Sequence, residues 1–333
     1  MIWLERREFI TLLGGAAAGW PLAARAQQGE RVRRIGVLMA TATEDDPVQV
    51  ALVTAFRQGL EGLGWVEGRN IRIDTRWAAG DPDRIRRSAA ELVALRLDVI
   101  VAQTSLGVAA VLDESRSVSM VFLQMNDPVG SGLVASLAHP GGNVTGFTPA
   151  EFSMGGKMLE VLKDIAPQIR RVAVLLTPEQ VPAVMTLRAI EAVAPSISVE
   201  VTAAGVHNAA EIEHAIATFA REPNSGLVVL PTVTTSYHRR LIIGLAARHR
   251  LPAAYAYPHF VRDGGLVSYG VEIADQYRQA ASYVDRILNG AKPGDLPIQQ
   301  PTNFKLVINL KTAKALGLTI TREFLLRADE VIE

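Results

Sequence analysis

Short apolar runs rich in β-branched residues alternate along this chain with longer stretches whose apolar positions recur every three or four residues. That is the pattern of strands alternating with helices. Arg34-Ile35-Gly36-Val37-Leu38-Met39 reads as a buried strand, and Val50, Val53, Phe56, Leu60 and Leu63 fall on one helical face. Residues 70–74 alternate like a strand, and Asp81-Pro82-Asp83 opens a helix that runs to Leu95, with Asp able to cap it and Pro in its first turn. Residues 97–102 make a third strand, a helix starts near Ser105, and residues 119–123 make a fourth strand. The runs are apolar on both faces, so they predict a parallel sheet covered by helices on both sides.

The rhythm restarts after the turn His139-Pro140-Gly141-Gly142-Asn143. Strands are expected at 171–176, 198–201, 226–230 and 251–255, with helices at about 153–165, 182–193, 208–220 and 236–249. The chain therefore reads as α/β, two doubly wound Rossmann-like lobes in tandem, and no short fixed period marks a solenoid. The tail departs from the rhythm, with a strand at 265–270, an amphipathic helix at 275–288, a strand at 305–309 and a last segment at 311–317.

Length agrees with two units, since 333 residues at about 150 per domain exceed one core. A 49% hydrophobic and 20% charged composition excludes disorder, collagen and coiled coil for the chain as a whole. Lys+Arg 34 against Asp+Glu 34 leaves no chain-wide basic field, so nucleic acid is not an expected partner. The absence of cysteine removes disulfides, zinc–thiolate sites, iron–sulfur clusters, thiol nucleophiles and any lipid-anchored cysteine. No membrane anchor is expected.

The N-terminus reads as an export signal. Arg6-Arg7 precede Phe9-Ile10, a weakly apolar stretch from Thr11 to Leu22 follows, and Ala24-Arg25-Ala26 supplies an A-x-A end. Gly14, Gly15, Gly19 and Pro21 interrupt a stretch that is already too short to span a membrane. Cleavage is expected after Ala26, which makes residues 1–26 a signal peptide and the mature chain a free protein of the periplasm. Arg6-Arg7-Glu8-Phe9-Ile10 resembles a twin-arginine motif, with Glu5 where that motif usually has Ser or Thr, so the export route stays open.

Catalytic and cofactor motifs are missing. No strand is followed by G-x-G-x-x-G, and neither G-x-x-x-x-G-K-[ST] nor G-x-S-x-G occurs. The histidines never take the spacing of a metal pair, so no metal and no cofactor are expected. His238-Arg239-Arg240 and Arg248-His249-Arg250 read as solvated ends of one helix.

The expected strand ends carry short polar residues, where open α/β sheets bind ligands beside helix N-termini. They are Thr41 after the first strand, Gln103, Thr104 and Ser105 after the third, and Asn126 and Asp127 after the fourth. In the second unit they are Thr177, then Thr232 and Thr234, then Tyr255 and Tyr257. Hydroxyls and free amides suit a carboxylate, and Asp127 suits an ammonium, so together they fit an amino acid. Each has a plainer reading. The hydroxyl and acid residues can be helix caps, Asp127 a turn residue beside Pro128, and the tyrosines half-buried core rings.

Residues 127–138, DPVGSGLVASLA, followed by Pro140-Gly141-Gly142-Asn143-Val144-Thr145-Gly146-Phe147, resemble ABC transporter substrate-binding proteins of the tryptophan/tyrosine-binding branch. Residues 264–270 and 305–317 extend the resemblance, which covers essentially all of 33–320. It implies a type I periplasmic binding protein, two lobes joined by three hinge crossings with the ligand in the cleft. By this resemblance the crossings lie near 144–148, with Thr145 and Gly146, near 268–271, with Tyr269 and Gly270, and near 299–303. Lobe one is then 33–146 plus 271–299, and lobe two 147–270 plus 300–333. Thr177-Pro178 stands where many relatives have Asn-Pro.

The resemblance also implies a monomer that closes like a Venus flytrap on a small-molecule ligand and delivers it to an inner-membrane permease with a separate ATPase. No catalytic residue is needed. A periplasmic sensor domain remains an alternative, as does an exported α/β enzyme using Asp127 and a tyrosine.

Overall fold

The computed structural model describes residues 31–149 and 152–333. The expected export signal lies outside them. In the first lobe, β1 (Arg33–Met39), β2 (Ile71–Trp77), β3 (Val99–Gln103), β4 (Met120–Leu123) and β5 (Val144–Phe147) pair in the order β2-β1-β3-β4-β5. Every pair is parallel. Helices α1 (Pro47–Gly62), α2 (Pro82–Ala94) and α3 (Thr104–Glu114) connect the first four strands. Alternate residues of β1 explain why helices cover both faces. Ile35, Val37 and Met39 belong to the same core as Leu52 and Phe56 of α1, whereas Leu38 joins Ile85 and Leu92 of α2. Asp46 and Asp81 start α1 and α2 by accepting backbone N–H bonds from Val48 and Arg84, at 3.1 and 2.8 Å.

The second lobe repeats this order with additions. Its strands are β6 (Arg171–Leu176), β7 (Glu200–Gly205), β8 (Ser225–Val229), β9 (Ala253–Tyr255), β10 (Val267–Gly270), β11 (Lys305–Asn309) and β12 (Glu330–Ile332). They pair as β12-β11-β10-β9-β8-β6-β7, parallel except between β10 and β11. The helices that follow α3 are α4 (Met154–Ile165), α5 (Val181–Val193), α6 (Ala209–Phe219), α7 (Val233–Tyr237), α8 (Arg239–Arg248), α9 (Pro258–Arg262), α10 (Ile273–Leu288), α11 (Leu310–Ala315) and α12 (Arg322–Leu325).

The chain changes lobes three times. β5 edges the first sheet, yet the next helix, α4, packs on β8, β9 and β10; α10 returns to lie along α1; and β11 rejoins the second sheet. The connecting segments hold one another. Gln299 N–H donates to Gly146 O at 3.0 Å, the Thr145 hydroxyl donates to Leu296 O at 2.7 Å, and Tyr269 stacks on Phe304. Gly146 and Gly270 are required there by close approach, because a Cβ on them would meet Phe122 O at 2.2 Å and Ala256 O at 1.8 Å.

Several elements differ from the sequence expectation. The strand expected at 198–201 begins at Glu200, because Ser198 takes a left-handed φ of 55° after a short 3-10 turn. The helix expected at 236–249 is two helices broken at His238, the first started by a reciprocal Thr232–Thr235 cap. α9, α12 and β12, none longer than five residues, carry too little periodicity to read.

Candidate ligand-binding site

In each lobe the first strand lies between the second and the third, so the helices leave in opposite directions and open a crevice at the strand ends. The crevices after β1 and β3 and after β6 and β8 face each other across a cavity of about 360 Å³. Thr41, Thr104, Ser105, Asn126 and Asp127 line it from the first lobe, and Thr232 and Tyr257 from the second.

Two helix starts face this space. α3 begins at Thr104 and α5 after Gln180, and neither first turn has a side-chain cap. The first N–H groups of α3 offer partial positive charge from one wall; α5 adds the Val181 N–H from the other, because Pro182 has no N–H and the Ala183 N–H donates to Gln180 O at 2.9 Å. α7 differs, because the Thr235 N–H already donates to Thr232 Oγ1 and the Thr232 N–H to Thr235 Oγ1. Thr104 is held at φ 64° and Gln124 at φ 58°, left-handed conformations that cost side-chain-bearing residues about 1–3 kcal/mol each. Such strain gathers where a group must be aimed. Thr104 Oγ1 and Asn126 Oδ1 are buried and have no hydrogen-bond partner among the described residues.

Charge on the wall is sparse and negative. Asp127 and Glu179 are its charged side chains, and no Lys or Arg is among the lining residues. Asp127 Oδ1 accepts the Gly130 N–H at 2.7 Å, so the residue does close a turn, while Oδ2 takes no part in that bond. Glu179 stands 3.0 Å from His207 Nε2, and Glu211 2.8 Å from its Nδ1. Those carboxylates raise the His207 pKa. His259 lines the cavity beside Tyr257, ring centroids 5.6 Å apart. Part of its ring faces the cavity, yet burial first, and the Arg239 guanidinium second, push its pKa down to about 3. The imidazole beside the cavity is therefore neutral near pH 7.

Four of the polar strand-end residues do not reach the cavity. Gln103 is buried behind the wall, bonded to Thr41. Thr177 is also buried, and its hydroxyl bonds to those of Thr232 and Thr234, at 3.1 and 3.3 Å, which turns Thr234 away from the cavity as well. Tyr255 is a core ring, 1% exposed, because it stacks on Phe260 and fills the space that Gly265 leaves open by having no side chain. The lining residues Gln49, Gln124, Glu179, Gln180, Ser236 and His259 lie outside the sequence expectation. Extending the strand-end rule by one helical turn reaches Gln49 and Gln180, whereas nothing in the pattern announces the left-handed turn at Gln124.

One match decides the family: the model of ABC transporter substrate-binding proteins covers residues 37–332. The chain belongs to this family. Similar proteins include a tyrosine-binding protein of Clostridioides difficile, 25% identical over 264 residues, spanning 79% of this chain and 75% of that one. A conserved domain protein from Vibrio cholerae superposes with a TM-score of 0.82 at 27% identity, covering 90% of this chain and 100% of that one. A Streptococcus pneumoniae ABC domain solved with L-Trp gives 0.82 at 23% identity, covering 90% and 99%.

In this substrate-binding protein Arg240 is exposed, as expected of a solvated helix end, but Arg239 beside it is not. Arg239 is 4% exposed and sits among carboxylates of both lobes, Asp46 and Asp263. Sequence could not show this, because Asp46 is brought to it only by the meeting of the lobes. Among the described residues no helix is long and apolar enough to cross a membrane.

Proposed function

We propose that this substrate-binding protein binds an amino acid, or a related small carboxylate, between its lobes and delivers it to an inner-membrane permease driven by a separate ATPase. The observation that carries this reading is the pair of uncapped helix starts, α3 and α5, facing one cavity from opposite lobes beside Asp127 and the unpartnered Asn126 Oδ1. Amide donors with the Thr104 and Ser105 hydroxyls hold a carboxylate, and Asp127 Oδ2 with Asn126 Oδ1 holds an ammonium. The named ligands of two similar proteins, tyrosine and L-Trp, are zwitterions of this kind. The function is binding without chemistry. The mature chain acts in the periplasm as a monomer, and the lobes close about the segments containing Thr145, Gly146, Tyr269 and Gly270.

A thermal-shift screen of the twenty amino acids and of small carboxylates tests the reading. A ligand at 100 times its dissociation constant stabilises the folded protein by about 2.7 kcal/mol, a clear rise in melting temperature. No rise with any of them would overturn it.

A further inference from the structure

Behind the first-lobe wall a chain of side-chain amides has its sense fixed by one backbone group. The Thr41 N–H lies 3.2 Å from Gln103 Oε1, and the Thr41 hydroxyl 3.1 Å from the same atom. A backbone N–H can only donate, so the Gln103 atom that faces it is the carbonyl oxygen, and the Gln103 NH2 points the other way. That NH2 stands 3.1 Å from Gln49 Oε1 and 2.6 Å from Gln124 Oε1. Because a donor must meet acceptors, both of those amides are turned with oxygens toward Gln103. The buried Tyr277 hydroxyl also borders Gln103. The NH2 groups of Gln49 and Gln124 are left over, on side chains that line the cavity.

We infer that Gln103 is a positioning residue: it aims the amide donors of Gln49 and Gln124 at the ligand and makes the cavity select a carboxylate over a carboxamide of the same shape. This rests on the amino-acid reading above. Carboxylate oxygens only accept, so they satisfy both NH2 groups, whereas a carboxamide brings its own NH2 against one of them and leaves donors unpaired. Gln103 directly precedes Thr104, so the oriented amides and the free N–H groups of α3 act from one side of the cavity. Gln103 itself, 2% exposed, never touches the ligand.

The test compares L-tyrosine and L-tryptophan, or whichever amino acid gives a thermal shift, with the corresponding primary amides by titration calorimetry. Wild-type protein is expected to prefer the acid by at least about tenfold, the scale of a charge-assisted hydrogen bond. In Gln103→Glu the ionised carboxylate can only accept, so both glutamines turn over, and the acid-to-amide preference should fall by about tenfold or more. A buried acid can prevent folding, so Gln49→Met is the second variant: it should weaken the acid about tenfold and the amide about twofold or less. Equal losses on acid and amide would overturn the inference.

The amino-acid reading fails separately, if no amino acid binds at all. The inference is then read from side-chain amide NMR of glutamine-labelled protein. Rapid solvent exchange of the Gln49 and Gln124 NH2 protons, with protection at Gln103, supports it. Protection at Gln49 and Gln124 overturns it.

Discussion

Arg239 of the second lobe grips Asp46 of the first through two hydrogen bonds, Nη1 to Oδ2 at 2.6 Å and Nη2 to Oδ1 at 2.7 Å. Its Nε donates to Asp263 on its own lobe at 2.8 Å. Planar two-pronged pairs of this kind are strong and directional when water is excluded. Burial pushes the Asp46 carboxyl up, but the bonds from Arg239 outweigh it and leave the pKa below the usual carboxylate value. The pair spans the cleft, so it favours the closed arrangement of the lobes.

Asp46→Asn isolates that contribution. Asn caps a helix as well as Asp does, so α1 keeps its start, while Arg239 keeps Asp263 and loses the charge across the cleft. Ligand-free protein is expected to open, with a larger radius of gyration in small-angle scattering, and ligand affinity should fall by about 2 kcal/mol, the low end for a desolvated charge pair. The same radius in variant and wild type would show that packing, not this ion pair, holds the lobes together.

At Asp127 the structure shows the turn reading, and the proposed ammonium contact can be tested without breaking that turn. The Gly130 N–H bond uses Oδ1, and an Asn side chain can accept the same bond, so Asp127→Asn keeps the turn and removes only the charge. Binding of an amino acid should weaken by about 2–5 kcal/mol with little change in the melting temperature of the empty protein. Asp127→Ala should lower both. Normal binding by the Asp127→Asn variant would remove the ammonium from this position.

The two lobes, most of their strands and several cavity-lining residues were legible because each rests on local pattern. Buried β-branched runs such as residues 34–39 mark strands, and polar residues where they end, such as Thr41 and Thr104, fall where open sheets place ligands. What could not be read depends on contacts between distant segments. Arg239 looks like one of three basic residues on a helix until Asp46 meets it, and Gln49 and Gln124 become oriented donors only through Gln103. Tyr255 and Tyr257 are two residues apart on one segment and both belong to the core, yet only Tyr257 also lines the cavity, because the strand ends at Tyr255 and its alternation with it.

Export is tested at the first residue of the mature chain. Periplasmic protein should begin at Gln27 in N-terminal sequencing, and a start at Met1 would sink the signal-peptide reading. Arg6→Lys with Arg7→Lys should trap precursor in the cytoplasm if the twin-arginine route is used. Normal export of that double variant would assign the chain to the general secretory route.

His259 gives the folded state a pH dependence whose sign follows from its surroundings. In the folded protein burial and Arg239 push its pKa from 6.5 down to about 3, with Asp46 pulling the other way and Arg262 adding to the fall. Unfolding the chain returns the imidazole to water and to its ordinary value. A depressed group contributes stability above its unfolded pKa and loses it as pH falls, so the folded state should weaken from about pH 6.5 downward, by no more than about 1.4 kcal/mol per pH unit for one proton. His207 acts in the opposite sense. Its pKa is raised by Glu179 and Glu211, so its contribution is complete at low pH and fades as pH rises through the folded value. Comparing wild type with His259→Gln cancels His207 and isolates the cavity imidazole, since Gln stays neutral and can still hydrogen-bond. Thermal melts between pH 7 and about pH 5, above the range where Asp46 protonates, should show a steeper loss on acidification in wild type than in the variant. Parallel curves would mean that His259 keeps an ordinary pKa in the cleft.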